Sequence, residues 1–441
     1  MHRKPVLFIV CVASLALAAG GAAFASGSAE GGGKVSLSFW NMPFVTQEVS
    51  PDYVKQWAEG VKKALPNATV ADFYGPGDYG TLRDKYLVQA SSGSPDVIEG
   101  LLEDTAVYVA KGVIEPLDSY FNAWSEKGQF EPATLAPLTI NGKLYGIPYN
   151  TNARGLIYRK DILAKYNLQV PTTWSQLIST ARQITQMSNK QMWGLFLCTK
   201  VGDPRAPQEF ISWYFQVSGG KPMFDVSGGS KKFNATVDQI EKILTLYQDA
   251  WSGDPSAANP DERGNGWPSE DPGYTSGKWA MAPEGTWLWG RRKGDDTAAM
   301  ILDNSVVAPL PVPEGGVPAT YLEVKPIMMN HYAKNKDAAW KLIQYITSKE
   351  EMAGWDASSG GIPARKDSLD MPAFQGPLGN FLKMFAALIP QSHAQSPINW
   401  GPVADAEMRA VNYVIYSQKS PHDAAQFFVD TVNGLLTNGQ L

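Results

Sequence analysis

Tryptophan is the residue type in this chain with most to offer a ligand: fourteen occur among 441 residues, each a flat apolar face with one polar N–H. Three of them, Trp279, Trp287 and Trp289, fall in the stretch GKWAMAPEGTWLWG. That stretch also holds Pro283, Gly285 and Gly290, residues that punctuate a chain into short strands and loops. Loops run over the surface, where an indole can be met by a ligand; otherwise a ring of this size packs in the core. Residue type alone leaves both readings open.

The common catalytic signatures are absent. The sequence has no G-x-x-x-x-G-K-[ST] loop to cradle phosphates, and no H-E-x-x-H, G-x-S-x-G or C-x-x-C. Beyond the first residues, histidine occurs only as His331, His393 and His422, too scattered for a metal-ligand pattern. Acidic pairs such as Glu103-Asp104 and Asp295-Asp296 read first as solvated faces. Two carboxylates could serve a glycosidase as acid and base, but nothing in the sequence pairs them. No cofactor or metal site is implied.

The N-terminus follows a separate logic. Arg3 and Lys4 precede an apolar run from Val6 to Ala19, and Ala23-Phe24-Ala25 supplies the small residues of a cleavage site. The run is shorter than the roughly 20 residues that span a bilayer, so residues 1–25 read as an export signal and 26–33 as a flexible tether containing GSAEGGG. A lipid anchor would need a Cys just after the run, whereas Cys11 lies within it. Removing Arg3 and Lys4 takes the formal net charge from −5 to −7, which argues against nucleic acid or anionic lipid as partner. One thiol then remains, Cys198 in the apolar run GLFLC, so no internal disulfide can form and a buried cysteine is expected.

Strand and helix periodicities alternate along the rest. KVSLSFW alternates as a strand, SPDYVKQWAEGVKKAL starts with Ser50 and Pro51 as a helix, and further strands are expected at ATVADFY, PDVIEG, KLYGIPY, GLIYRK, SVVAPLP and KPIMMN. Helices are expected at TLRDKYLVQASSG, at TTWSQLISTARQIT with Thr173 and Gln176 as a capping box, at TVDQIEKILTLYQDAW, across NKDAAWKLIQYITSKEEMAGW and at SPHDAAQFFVDTVNGLL. This grammar predicts α/β layers with mostly parallel sheet. Long loops around 252–278 and 354–380 could lend contacts to a ligand cleft.

The segment NGKLYGIPYNTNARGLIYRKDILAKYNLQVPTTWSQL resembles the carbohydrate-type extracellular solute-binding proteins of bacterial ABC importers, the family that includes maltodextrin-binding protein. SGSPDVIEG, YVAKGVIEPLD, SGKWAMAPEGTW, GGIPAR and SPHDAA stand in the same order. The resemblance implies a two-lobed, Venus-flytrap α/β fold with mixed, mostly parallel sheets, closing about a multi-strand hinge. It places one lobe at 34–148 and 306–347 and the other at 149–305 and 348–441. It implies a monomer in the periplasm that takes carbohydrate to the permease subunits of an ABC importer in the inner membrane.

A sugar ring has C–H-rich faces and a hydroxyl rim, so its receptor needs indole planes for the one and carboxylates, carboxamides or guanidiniums for the other. The resemblance assigns stacking to Trp287 and Trp400, and less securely to Trp213. Trp289 joins Trp287 if the segment is extended, since alternate positions then share a face; Trp279 reads as core. Glu103 and Asn152 are the expected hydroxyl-binding residues, with Tyr149 at the hinge, Trp40 on the cleft floor, and Asp356 and Arg365 flanking GGIP. The alternatives are a secreted glycosidase, or the same fold holding a polyamine or another non-sugar solute.

Overall fold

Alternation sets the first strand: in β1 (Val35–Trp40) Leu37 and Phe39 are buried while Ser36 is exposed. The computed structural model describes residues 34–42, 51–71, 79–226, 230–292 and 294–441; the expected signal, the tether and Ser50 lie outside them. Val35–Leu441 forms one unit by its contacts.

After β1 come α1 (Pro51–Ala64), β2 (Ala68–Ala71), α2 (Tyr79–Gln89), β3 (Val97–Glu99) and α3 (Leu102–Ala110). The short helices α4 (Asp118–Ala123) and α5 (Pro132–Leu135) and the hairpin of β4 (Thr139–Ile140) and β5 (Lys143–Leu144) lead to β6 (Ile147–Ala153). Next are β7 (Gly155–Arg159), α6 (Lys160–Lys165), α7 (Trp174–Met187), β8 (Trp193–Leu195) and α8 (Arg205–Ser218). A second hairpin, β9 (Phe224–Asp225) with β10 (Lys232–Phe233), precedes α9 (Val237–Trp251), α10 (Trp267–Thr275) and β11 (Trp279–Glu284). Then follow α11 (Gly294–Asn304), β12 (Ser305–Ala308), β13 (Thr320–Met329), α12 (Lys336–Ile346) and α13 (Lys349–Ser359). The chain closes with β14 (Ile362–Pro363), α14 (Gly376–Ala386), β15 (Ser392–His393), α15 (Gly401–Ile415) and α16 (Pro421–Thr437).

Two sheets carry the fold. The larger runs β14-β6-β13-β3-β1-β2, with β15 also on β13; the smaller runs β12-β7-β11-β8. The mixed α/β architecture is as expected, but antiparallel pairing is commoner than "mostly parallel" suggests. β6 runs against β13, and β7 against both β11 and β12. β6 and β7 lie in different sheets, and the chain passes from one to the other through Arg154 alone.

Each sheet has its own core. Phe39 and Val97 face a cluster on the larger sheet with Trp57, Leu342 and Ile343 from its helices, while the next residues, Trp40 and Ile98, point to the other face against Tyr86 and Tyr108. The smaller sheet is packed by α7, α8, α9, α15 and α16 through Leu177, Phe210, Leu244, Val411 and Phe428. Sheet membership runs further along the chain than the expected lobe boundaries. β6 stays in the larger sheet to Ala153, and β12 stays in the smaller one to Ala308. Met352 and Trp355 of α13 still pack in the core of the larger sheet, and β14 pairs with β6 there.

Capping chemistry holds the helix starts. Thr173 accepts from Gln176 N at the start of α7, but the Gln176 side chain returns to Thr172 N rather than to the cap. Thr236 and Gln239 make the complete reciprocal box on α9. The long helical stretch after Asn335 is two helices, because Ser348 caps α13 through Glu351 N.

Candidate ligand-binding site

Between the two sheets lies a cavity of about 1000 Å³, at the upper end of the range for small-molecule sites. From the larger sheet and its helices come Tyr79, Glu103, Asp104, Tyr149, Asn150, Glu323, Lys325 and Trp355. Asp203, Arg205, Gln208, Trp267, Trp287, Arg291 and Trp400 face them from the elements around the smaller sheet. Arg154, the crossing residue, sits where the two groups meet.

Helix geometry aims these side chains. Trp400, Ala404 and Met408 recur at intervals of four and so line one stripe at the start of α15. Glu103 and Val107 do the same on α3. Asp203 fixes two helix starts at once, accepting from Arg205 N at 2.8 Å through Oδ1 and from Trp267 N at 3.1 Å through Oδ2. Trp287 opens a 3-10 turn (Thr286–Arg291) after β11, and its ring folds back over Gly285 so closely that a Cβ there would strike it.

Charge inside the cavity is largely matched. Arg205 meets Glu270 and Asp271 at 2.5 Å and Glu284 at 3.5 Å. Arg154 faces Glu323 at 3.8 Å, and Arg83 faces Asp104 at 3.6 Å. Burial alone would raise the Glu323 carboxyl, but Lys325, Arg154 and Arg205 outweigh it and hold the group below its ordinary range. Glu103 has no such cation. Burial pushes its carboxyl up, against hydrogen bonds to Oε1 from Gln208 and Tyr321, both at 2.7 Å. Several buried polar atoms here make no hydrogen bond among the described residues: Glu103 Oε2, Glu323 Oε2, Arg154 Nε and Nη1, and Trp287 Nε1. They are the acceptors and donors a hydroxylated ligand can use once the walls part.

Of the expected site residues, Glu103, Tyr149, Trp287 and Trp400 line this one cavity. The other six sit elsewhere. Trp213 is fully buried in the smaller-sheet core, edge-on to Trp174 at 5.8 Å. Trp289 is turned away from Trp287 because the segment is a 3-10 helix, where positions two apart diverge; its Nε1 donates to Ala357 O at 3.0 Å. Trp40 packs in the cluster with Ile98, Tyr86 and Tyr108 and does not line the cavity. Asn152 is buried against Asn150 and Thr286, and Asp356 accepts from Asn150 Nδ2 at 2.5 Å, so both brace β6 instead of lining the cavity. Arg365 is held by Glu126 at 2.6 Å and Asp367 at 2.8 Å.

The cavity also contains residues that the sequence did not single out: Arg154, Arg205, Gln208, Trp267, Trp355, Glu323 and Lys325. Trp267, in a Trp-Pro pair, and Trp355 fall within the two long loop regions marked for ligand contacts; the others carried no such signal. Cys198 is buried and free, as expected. With Glu209 and Glu270 it could in principle hold a metal ion. Cys198 Sγ and Arg205 both bond Glu270 Oε2, and Glu209 Oε2 accepts from Cys198 N at 3.0 Å, while Glu209 Oε1 and Glu270 Oε1 make no hydrogen bond among the described residues.

Two α/β halves joined by short crossings, with an aromatic and charge-matched cavity between them, define a solute-binding protein of the hinged, two-lobed kind. The family described as "Bacterial extracellular solute-binding protein" matches residues 56–378, and the chain belongs to it. It is 26% identical over 317 residues to a "Probable ABC transporter-binding protein" of Deinococcus radiodurans, covering 66% of this chain and 69% of that one. It is 22% identical over 334 residues to the maltotriose-binding protein of Pyrococcus abyssi, covering 73% and 66%. Among solved structures, maltose-bound MalE3 of T. maritima superposes with a TM-score of 0.76 at 22% identity, over 91% of this chain and 100% of that one. The GacH receptor of Streptomyces glaucescens, solved unliganded and with acarbose, gives 0.74 at 22%, over 92% and 99%. At such identities the likeness establishes the fold.

Proposed function

We propose that this protein is an exported carbohydrate-binding protein that encloses a sugar, by preference an oligosaccharide, between its two halves and hands it to an ABC importer. One observation carries the reading: Trp400 and Glu103, from elements of the two different sheets, line a single cavity large enough for more than one sugar ring. Micromolar affinity corresponds to about −8 kcal/mol. A few hydrogen bonds to charged groups, at about 1.5–3 kcal/mol each, do not reach it after ordering costs. Indole faces supply the remainder.

The signal-like residues 1–25 support export, with Ser26 as the mature N-terminus, and the residues just after the apolar run include no Cys to take a lipid. We place the mature protein in the periplasm as a soluble monomer. The polyamine alternative loses ground to the charge pattern, since Glu323, Asp104 and Asp203 are already engaged by Arg154, Arg83 and two helix N-termini. A panel of glucose, tagatose, maltose, maltotriose, acarbose and arabinotriose, screened by thermal shift, tests the proposal. A ligand at 100 times its Kd adds about 2.7 kcal/mol. No shift with any sugar, or turnover of an oligosaccharide at catalytic protein concentration, would overturn it.

A further inference from the structure

Among the tryptophans that line the cavity, Trp287, Trp355 and Trp400 are 8%, 5% and 4% exposed, whereas Trp267 is only half-buried. Indoles at the heart of the cores, such as Trp213 and Trp279, are enclosed, and Trp193 packs at a core edge outside the cavity as a half-buried ring. Trp267 is therefore the cavity indole nearest the rim, and a partly open ring in a small-molecule site is a face left for a ligand.

Its posture is fixed from three directions. The backbone N–H donates to Asp203 Oδ2 at 3.1 Å, and a Cβ on the preceding Gly266 would collide with that same oxygen, so only glycine allows the approach. Pro268 follows as the second residue of α10 and restricts the turn. The Arg291 guanidinium lies over the ring, 4.9 Å from its centre, and is itself 3.4 Å from Asp271. A ring pinned in this way before ligand arrives loses little freedom on stacking.

Trp287 differs. Arg154 lies 4.0 Å from its ring centre and Arg205 4.6 Å, so its surface is already occupied by two guanidinium groups. That leaves Trp400, at the start of α15, and Trp267, at the start of α10, as the indoles available on the smaller-sheet side.

We infer that Trp267 is a second stacking position at the rim of the cavity, beside that of Trp400, so that the preferred ligand spans at least two sugar rings. The inference rests on the carbohydrate reading above. It is tested on the mature protein by titration calorimetry with the same six sugars. Trp267→Ala should weaken the tightest oligosaccharide roughly tenfold or more, about 1.4 kcal/mol, and change any monosaccharide less than about twofold. Trp267→Phe should recover most of the affinity, and Gly266→Ala, which displaces the ring without deleting it, should reproduce the loss.

Unchanged oligosaccharide affinity in Trp267→Ala, or an equal loss for mono- and oligosaccharide, overturns the inference and leaves the carbohydrate reading standing. If wild-type protein binds none of the six sugars, both fall together. Should Trp267→Ala not fold, Trp267→Phe and Gly266→Ala decide: full wild-type affinity in both overturns it.

Discussion

Gln208 donates from its side-chain nitrogen to Glu103 Oε1 at 2.7 Å, tying α8 of the smaller-sheet core to α3 of the larger. Tyr321 donates to the same oxygen, and Arg154 bonds the Gln208 carbonyl from the crossing between the sheets. The carboxylate best suited to accept a ligand hydroxyl is thus already engaged by this chain, in a contact that spans the cavity. A ligand hydroxyl that takes Oε1 must replace Gln208 and so exchanges one hydrogen bond for another, whereas one that takes the unpartnered Oε2 adds a bond.

Gln208→Leu should loosen this closure. It removes a hydrogen bond to a carboxylate, worth about 1.5–3 kcal/mol, and leaves Glu103 to seek water by opening the walls. The expected result is a larger radius of gyration for the ligand-free variant in small-angle scattering. An unchanged radius would show that the walls stay together without this contact.

Trp287→Ala is expected to cost stability as well as binding. The ring is 8% exposed, and two guanidiniums and Gly285 pack against it. Removing it uncovers Arg154 and Arg205, and burying a large ring less well costs about 3–5 kcal/mol in comparable Trp→Ala changes. Urea denaturation reads the loss directly; a midpoint equal to wild type would mean the ring contributes only to ligand contact.

Asp203→Ala should weaken two helix starts together. Each lost side-chain cap costs about 0.5–2 kcal/mol, and here the same carboxylate caps Arg205 of α8 and Trp267 of α10. Denaturant unfolding should show roughly twice the cost of a single cap deletion, with sugar affinity falling because Trp267 loses its seat. A cost no greater than that of removing the Thr173 cap would contradict the double role.

Much of the fold was legible because period and punctuation agree. β1 shows its alternation, α7 and α9 announce their Thr caps, and Ser420 starts α16 where the sequence places it. Pairing direction was not legible, since a strand's own residues do not say which neighbour it will meet; β6 and β13 pair although far apart in the chain, Ala153 with Leu322. The site was harder still. Trp213 and Trp400 look alike in sequence, yet one lies at mid-helix facing a core and the other at a helix start facing the cavity. The charged residues escaped for the same reason: Arg205 becomes a buried residue only when Glu270, Asp271 and Glu284 are folded around it.

The last prediction concerns pH. Glu209 is fully buried, and burial pushes its carboxyl from an ordinary 4.5 up to about 8, against the hydrogen bond from Cys198 N. Between these values the folded protein keeps a proton that the unfolded chain releases. The neutral group's stabilisation is therefore complete below pH 4.5 and is lost as pH rises toward 8, by at most about 1.4 kcal/mol per pH unit. Glu351 and Asp104, both raised to about 7 chiefly by burial, tilt stability in the same direction. A variant is needed to isolate one group. Glu209→Gln keeps the acceptor for Cys198 N and cannot ionise, so it should match wild type near pH 5 and exceed it by roughly a few kcal/mol at pH 8. Urea denaturation at pH 5, 6, 7 and 8 measures the gap; a gap constant with pH would show that Glu209 ionises in the fold as readily as in the open chain.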